Sequence, residues 1–504
     1  QMPNAKTVFE QWRREGQTET GSLVSALSKN QELKNLVLEE TPWLADANTE
    51  AAQKQALANY FDNAALQNSL TSLVSRMQRL QNSDGSWSWW KGMKGSPRLT
   101  SEVAVQLARL DHLTGQQSAT LNMKNKAVSY LGVKANEEVK DIKKHMAEKQ
   151  PYAINDHYAL QYLYIRTLNG DKLSAADEAT AKFLLDYLKK NDRQNSLFAK
   201  ALMAVVLAKR GDMTLAKQYV QSLEEYTVAT KEQGRYYDTH RAGYSWTDYR
   251  IPTQAAAMEA MQLIGAKEYA QQITEMKRWL LQQKRTQGWN TPVNSVNAVY
   301  AFFNGNDQML STQPMATMTL DGKALELPQA TAGLGYVKTT AQPEKAHQLV
   351  IDKQSEGTSW GAVYAQSLVK TADIAASEAG LSVKREVLAA DGKAATALKV
   401  GDKVKVRITV RADRDYDFVQ INDKRAACME PVSQLSGYRM GYYCTPKDNA
   451  TCYYFDMLSK GEHVIETEYY VDRAGSYDTG SCTVQCAYAP EYAARAASQT
   501  LDVK

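Results

Sequence analysis

Apolar residues in the first 300 positions recur with helical spacing. Val103, Leu107 and Leu110 form one trio, Ala256, Ala260 and Leu263 a second, and Val296, Tyr300 and Phe303 a third. Each is spaced i, i+4, i+7, which places it on one face of a helix. A glycine–aromatic turn precedes each trio: Gly85-Ser86-Trp87-Ser88-Trp89-Trp90, Gly243-Tyr244-Ser245-Trp246 and Gly288-Trp289. Tyr158–Leu168, Glu178–Lys190 and Leu197–Leu223 read as further helical stretches. A turn–helix unit that repeats with the same chemistry predicts a repeat architecture, because one helix pair cannot bury its apolar face alone. Trp246 and Trp289 are 43 residues apart, within the period of helix-pair repeats. The 159 residues from Trp87 to Trp246 hold roughly four such units, and the whole region roughly six or seven hairpins. That number can close into an α/α toroid, although an open solenoid has the same period.

After Gly305 the period changes from helix to strand. Met318–Leu325 reads as a small hairpin around Asp321-Gly322, and Leu349-Val350-Ile351 and Trp360–Leu368 as further strands. The alanine-rich stretch Thr371–Ala379 reads as a link. Val404, Val406, Ile408 and Val410 alternate with Lys405, Arg407 and Thr409, the pattern of a strand with one wet face. Ile465, Thr467, Tyr469 and Val471 repeat it, as do Cys482, Val484, Cys486 and Tyr488. The fold class expected is multidomain α + β, an α/α toroid of helical hairpins followed by antiparallel β-sandwich domains.

Composition narrows the function classes. Net charge is +4 with the signs well mixed, so no clustered basic face points to nucleic acid. No apolar run has the length of a membrane span. The chain opens Gln1-Met2-Pro3 and reads as a segment of a longer protein. All five cysteines fall in the last quarter: Cys428, Cys444, Cys452, Cys482 and Cys486. Cys482 and Cys486 share a strand face about 13 Å apart, too far for a mutual disulfide. Cys444 and Cys452 flank a turn, with Tyr442-Tyr443 before one and Tyr453-Tyr454 after the other. That near-symmetry about Pro446–Asn449 predicts a hairpin with the two cysteines facing each other, either as a disulfide or as two buried free thiols.

Catalytic patterns are sparse. Gly357-Thr358-Ser359-Trp360-Gly361 matches G-x-S-x-G, but strands on both sides leave no strand–turn–helix elbow for a nucleophile. Asn155-Asp156-His157-Tyr158 and Asp248-Tyr249-Arg250 contain the residue types a polysaccharide lyase needs: Asn or Arg for a uronate carboxylate, Tyr or His for the proton. The same tetrapeptide also serves as a helix cap. Six histidines include no i, i+4 pair, and the cysteines lack zinc spacing, so no metal or cofactor site is expected.

An ordered series of segments carries a resemblance. It begins with Asn30-Gln31-Glu32-Leu33-Lys34 and Leu38-Glu39-Glu40-Thr41-Pro42-Trp43, and continues with Asp84-Gly85-Ser86-Trp87-Ser88-Trp89. Gly357–Tyr364, Asp417-Phe418-Val419-Gln420, Lys424–Cys428, Ser433–Tyr438 and Cys486–Tyr492 complete it. Together they resemble the C-terminal part of bacterial α2-macroglobulins, in particular the large forms of Bacteroidetes. The resemblance implies a protease-trapping inhibitor rather than an enzyme. Residues 1–305 would be the thioester-type toroid, 306–372 a CUB-like β segment and 373–504 the macroglobulin receptor-binding-like sandwich. The thioester signature Cys-x-Glu-Gln is absent, so either the chain starts downstream of it or the parent lacks it; no reactive residue carries over. The implied partners are target proteases, engaged through the full-length protein, with no nucleic acid, and membrane contact only through an anchor outside this segment. The implied location is periplasmic or cell-surface. A buried thioester needs a water-excluding aromatic shield. Trp87, Trp89, Trp90, Tyr244 and Trp246 are candidates for one side of it and Tyr438, Tyr442 and Tyr443 for the other; core packing is the competing role. A lyase and a structural cell-envelope protein are the alternative functions.

Overall fold

The computed structural model describes residues 63–115, 118–152, 154, 156–190, 196–231, 233–237, 249–286, 289, 291–305, 316–326, 348–354, 370, 373–395, 397–439 and 441–504. The chain divides into two compact units, one of residues 1–279 and 291–359, the other of 280–290 and 360–504.

Helices dominate the first unit. They are α1 (Asn63–Leu80), α2 (Pro97–Thr114), α3 (Ser118–Ala147), α4 (Asp156–Leu168), α5 (Ala175–Lys190), α6 (Leu197–Lys209), α7 (Met213–Glu224), α8 (Arg250–Gly265), α9 (Ala270–Thr286, which runs into the second unit) and α10 (Pro292–Phe303). Alternate helices α2, α4, α6, α8 and α10 each pack on the next, and α10 returns to α2. The ring is therefore closed, with α3, α5 and α7 packed outside it. Position in the ring explains composition. Every residue of α6 from Leu197 to Leu207 except Lys200 is buried, and so is α8 from Ile251 to Met261, because each is flanked on both sides.

Local signals set the helix ends. Ser96 Oγ accepts from Leu99 N at the start of α2, Ser196 Oγ from Ala199 N at α6, and Thr291 Oγ1 from Asn294 N at α10. The helical stretch expected from Leu197 to Leu223 forms as two helices. Gly211 turns at φ 88°, and Asp212 Oδ1 caps α7 through Leu215 N. A hairpin of β1 (Thr227–Thr230) and β2 (Gly234–Tyr237) follows α7, which the helical reading did not contain. With this insertion and the 30-residue α3, the described residues between Trp87 and Tyr237 form three helical hairpins where four were expected up to Trp246.

The predicted apolar trios mark helices correctly but not always the buried face. Leu107 and Tyr300 are buried, whereas Leu110 and Val296 are exposed. On α2 the buried positions include Ala104, Val105, Leu107 and Ala108 with Arg109; on α10 they include Asn294 and Asn297. The expected hairpin around Asp321-Gly322 forms from β3 (Thr317–Leu320) and β4 (Lys323–Ala324), with β5 (Leu349–Asp352) on the other side of β3. Asp321 and Gly322 take φ 48° and 79°, as a two-residue turn of this type requires. Trp360–Leu368 lies outside the described residues.

The second unit is antiparallel sheet. Its strands are β6 (Ser377–Ala379), β7 (Leu381–Leu388), β8 (Lys403–Ala412), β9 (Tyr416–Lys424), β10 (Met429–Pro431), β11 (Gly437–Arg439), β12 (Tyr442–Pro446), β13 (Ala450–Leu458), β14 (Gly461–Val471), β15 (Gly475–Asp478), β16 (Cys482–Cys486), β17 (Ala493–Ala496) and β18 (Thr500–Val503). The order is β10-β14-β8-β7-β6-β17-β16-β9-β13-β12-β11, with β15-β18 as a separate pair. A single bridge, Ala379 to Leu381, joins β6 to β7. The sheet folds there, and residues of β7, β8 and β14 share one core with those of β9, β13, β16 and β17. Gly380 makes the fold possible: its φ is +72°, and a Cβ there would lie 2.7 Å from Tyr492 Cδ1. The predicted alternations hold except at Tyr488, which is half exposed, and Thr467, which is only partly buried. Val404, Val406, Ile408 and Val410 are all buried, as are Cys482, Val484 and Cys486. The outward face of β8 and β14 is an ion-pair ladder: Arg411–Glu462, Arg407–Glu466, Lys405–Glu466 and Lys403–Glu468.

Candidate functional site

The concentration of chemistry in the helical unit lies on the inner ring. Arg109 on α2 is 3% exposed, and Glu259 on α8 only 1%. Arg109 Nε donates to Tyr164 Oη on α4 at 2.9 Å, and Nη1 to Asn297 Oδ1 on α10 at 2.6 Å. Tyr164 Oη donates to Glu259 Oε2 at 2.8 Å, and Tyr300 Oη on α10 to Oε1 at 3.0 Å. The guanidinium stands 4.3 Å from the Tyr300 ring centroid and 3.9 Å from the Glu259 carboxylate. Burial opposes the charge on Arg109, but Tyr164, Glu259 and Tyr300 outweigh it and hold its pKa above the ordinary value. Burial raises both tyrosines, so their hydroxyls stay donors to Glu259. The network ties α2, α4, α8 and α10 across the ring. The cavity beside it measures about 10 Å³ and is lined from all five inner helices, by Gln106, Gln161, Leu202, Pro252 and Val293 among others. That is room for about one water. The arrangement holds charge in place and leaves no room for a substrate.

Sequence reading missed this cluster. Its trace was there, in Arg109 inside Ala104–Leu110, Glu259 inside Ala255–Met261, and Asn294 and Asn297 at i, i+3 in an apolar helix. Of the residues weighed for lyase chemistry, Asn155, Asp248 and the side chains of Asp156 and His157 lie outside the described residues. So do Gly357–Gly361, Tyr244 and Trp246.

The candidate aromatic residues take different positions. Trp87 is a core residue, 5% exposed; its Nε1 donates to Met77 O and its backbone N to Thr100 Oγ1. Gly85 at φ +90° precedes it, where a Cβ would strike the Lys126 carbonyl. Trp89 and Trp90 stand out in solvent. In the sandwich, register places Tyr438, Tyr443, Tyr454, Gln420 and Gln485 in one row across β11, β12, β13, β9 and β16. Tyr438 is 73% exposed and meets Tyr443 edge-on at 5.4 Å. Tyr442 points the other way and packs on Tyr453 and Phe455 at 5.7 and 5.3 Å.

The expected facing of Cys444 and Cys452 is corrected by the same register. Cys444 lies opposite Tyr453, and Cys452 opposite Thr445. The turn closes through Lys447 N to Ala450 O, leaving a two-residue loop, Asp448-Asn449. The symmetric pairing needs an odd loop; this even one shifts the register by one residue and sends the thiols to opposite faces. All five cysteines are free and buried.

A second buried charge pair lies inside the sandwich. Arg385 Nε on β7 is 2.7 Å from Asp423 Oδ1 on β9, at 1% and 0% side-chain exposure. Arg385 Nη2 also donates to Lys424 O. Burial pushes the Asp423 carboxyl up to about 6 although Arg385 pulls it down. Burial and then the Asp423 charge raise the Cys482 thiol well above its usual value, so it stays protonated.

Residues 380–491 match the bacterial alpha-2-macroglobulin MG10 domain family. No curated protein sequence matches the chain. Among solved structures, trypsin-activated alpha-2-macroglobulin of Escherichia coli aligns with 90% of this chain and 30% of its own, at 13% identity and TM-score 0.43. The same protein activated by porcine elastase aligns with 88% of this chain and 39% of its own, at 15% and 0.40. Salmonella alpha-2-macroglobulin reacted with methylamine aligns with 99% and 31%, at 14% and 0.34. The chain thus spans about a third of the length of these proteins. Over residues 380–491, the folded-over sheet described above is similar to the MG10 domain of bacterial alpha-2-macroglobulins.

Proposed function

We propose that this chain is the C-terminal part of a bacterial α2-macroglobulin, of the type found in Bacteroidetes, and that its parent inhibits endopeptidases by trapping them. The match of residues 380–491 to the MG10 domain carries the reading, and the closed helical ring upstream of that domain supports it. In this reading residues 1–305 are the thioester-type toroid, 306–372 a CUB-like segment, and 373–504 the terminal sandwich. Tyr438, exposed, and Tyr443, half-buried beside it on the same sheet face, are the candidates for a surface that covers a reactive bond in the parent. The helical region contains no cysteine, so a thioester would come from residues upstream. The parent would reside in the periplasm or on the cell surface and meet proteases there.

The test uses the full-length parent incubated with trypsin. Residual activity is read on casein and on a small chromogenic peptide. Trapping leaves cleavage of the peptide and abolishes cleavage of casein, because the cage excludes only the large substrate. A parent that is merely degraded, with casein hydrolysis intact, refutes the proposal. Methylamine uptake by intact mass then decides between covalent and steric retention.

A further inference from the structure

Residues 63–96 combine a basic amphipathic helix with an aromatic turn. On α1, Leu70, Leu73, Met77 and Leu80 form one stripe, and Leu70, Leu73 and Leu80 are each about half exposed. The turn that follows presents Trp89, Trp90 and Met93 to solvent, Trp90 at 69% exposure. The two pieces are tied together: the Trp87 indole donates to Met77 O, and Gln81 Nε2 to Gly85 O. The turn is also held from within. Ser96 N bonds to Trp87 O, Met93 N to Trp90 O, and Tyr130 Oη to Gly95 O. Its side chains are therefore displayed on a fixed frame, which lowers the ordering cost of binding.

Charge on this segment has one sign. Arg76, Arg79, Lys91 and Lys94 make no ion pair with a described residue, and Asp84 is the single acid between 63 and 96. Asp84 is occupied by Ser86, whose N and Oγ both donate to it. Exposed leucine, methionine and tryptophan interleaved with unpaired cations suit a surface that is apolar just beneath a negative layer. We infer that α1 and the Trp89–Lys94 turn form a peripheral docking face for an anionic phospholipid bilayer. Trp89, Trp90 and Met93 enter the headgroup boundary, while Arg76, Arg79, Lys91 and Lys94 neutralise lipid phosphates. No described helix is long and apolar enough to cross a membrane, so the contact is interfacial. This differs from the expectation that membrane contact comes only through an anchor outside the segment.

The test is sedimentation of the 504-residue chain with vesicles of phosphatidylcholine containing 30% phosphatidylglycerol, at low and physiological salt. Binding should weaken with salt and fall at least ten-fold on pure phosphatidylcholine. W89A/W90A should lower it at least ten-fold, and K91A/K94A on the order of twenty-fold at low salt. Brominated lipid should quench tryptophan emission in the wild type and lose that effect in W89A/W90A. Both variants change exposed side chains, and unaltered thermal melts would confirm their fold. Absence of vesicle binding, or equal binding by wild type and both variants, overturns the inference. Equal binding by the variants would show that another surface meets the bilayer. No protease enters the assay, so its failure leaves the trapping proposal standing.

Discussion

Among the described residues, each unit has an arginine–carboxylate pair with both side chains almost fully buried, and the two are supported differently. In the helical ring, Glu259 accepts from two tyrosines while Arg109 is shared among Tyr164, Asn297 and the Tyr300 ring. In the sandwich, Asp423 faces Arg385 and a protonated thiol, and burial drives it toward neutrality. A buried charge survives where several elements converge with donors already aimed at it. Four inner helices supply such convergence. Two facing sheets bring side chains from fewer directions. The helical pair thus fixes which helices close the ring, whereas the sandwich pair makes its unit sensitive to pH.

The most damaging way to break this comparison is to remove Glu259. E259L leaves Arg109 buried without a counter-charge and should cost about 3–5 kcal/mol. The loss would be read from the urea midpoint of helical circular dichroism. R109M/E259L should recover much of it, since an uncharged pair leaves no unpaired ion. A loss below about 1 kcal/mol would mean the network does not hold the ring.

Asp423 gives a smaller and pH-dependent effect. Its folded pKa, about 6, lies above the unfolded value of about 3.9. The folded state therefore binds the extra proton. The stability this contributes is fully present below about pH 4 and is lost as pH rises through about 6. Two pKa units correspond to roughly 2–3 kcal/mol. Hydrogen exchange of β9 amides should show the wild-type sandwich weakening from pH 4 to 7, and D423N weakening less. Parallel profiles would remove Asp423 as the source.

The outer ladder should matter least. Arg411 and Glu462 are solvent-exposed, and R411A should shift stability by no more than about 0.5 kcal/mol at physiological salt. A larger loss would place that face in an interface rather than in water.

The sandwich was more legible than the ring's interior. A strand has period two, so Val404–Val410 and Cys482–Cys486 name their buried face directly. The helix trios named helices, but a helix packed between two neighbours has no single inward face, and Leu110 and Val296 ended in solvent. The axial cluster was not legible as a site, because Arg109 and Asn297 lie 188 residues apart and meet only when the ring closes. Cys444 and Cys452 failed in a different way: a one-residue difference in loop length reversed the face of one thiol.

The sequence by itself determined where helices give way to strands and which strand faces are apolar. It also determined where glycines must turn the chain, at Gly85 and Gly322. These are local properties, set by side-chain period and by backbone conformations open to few residues. Closure of the ring, the pairing of Arg109 with Glu259 and of Arg385 with Asp423, and the register that parts Cys444 from Cys452 were decided only in the tertiary structure. Each depends on which distant groups arrive together in a medium too dry to leave a charge alone.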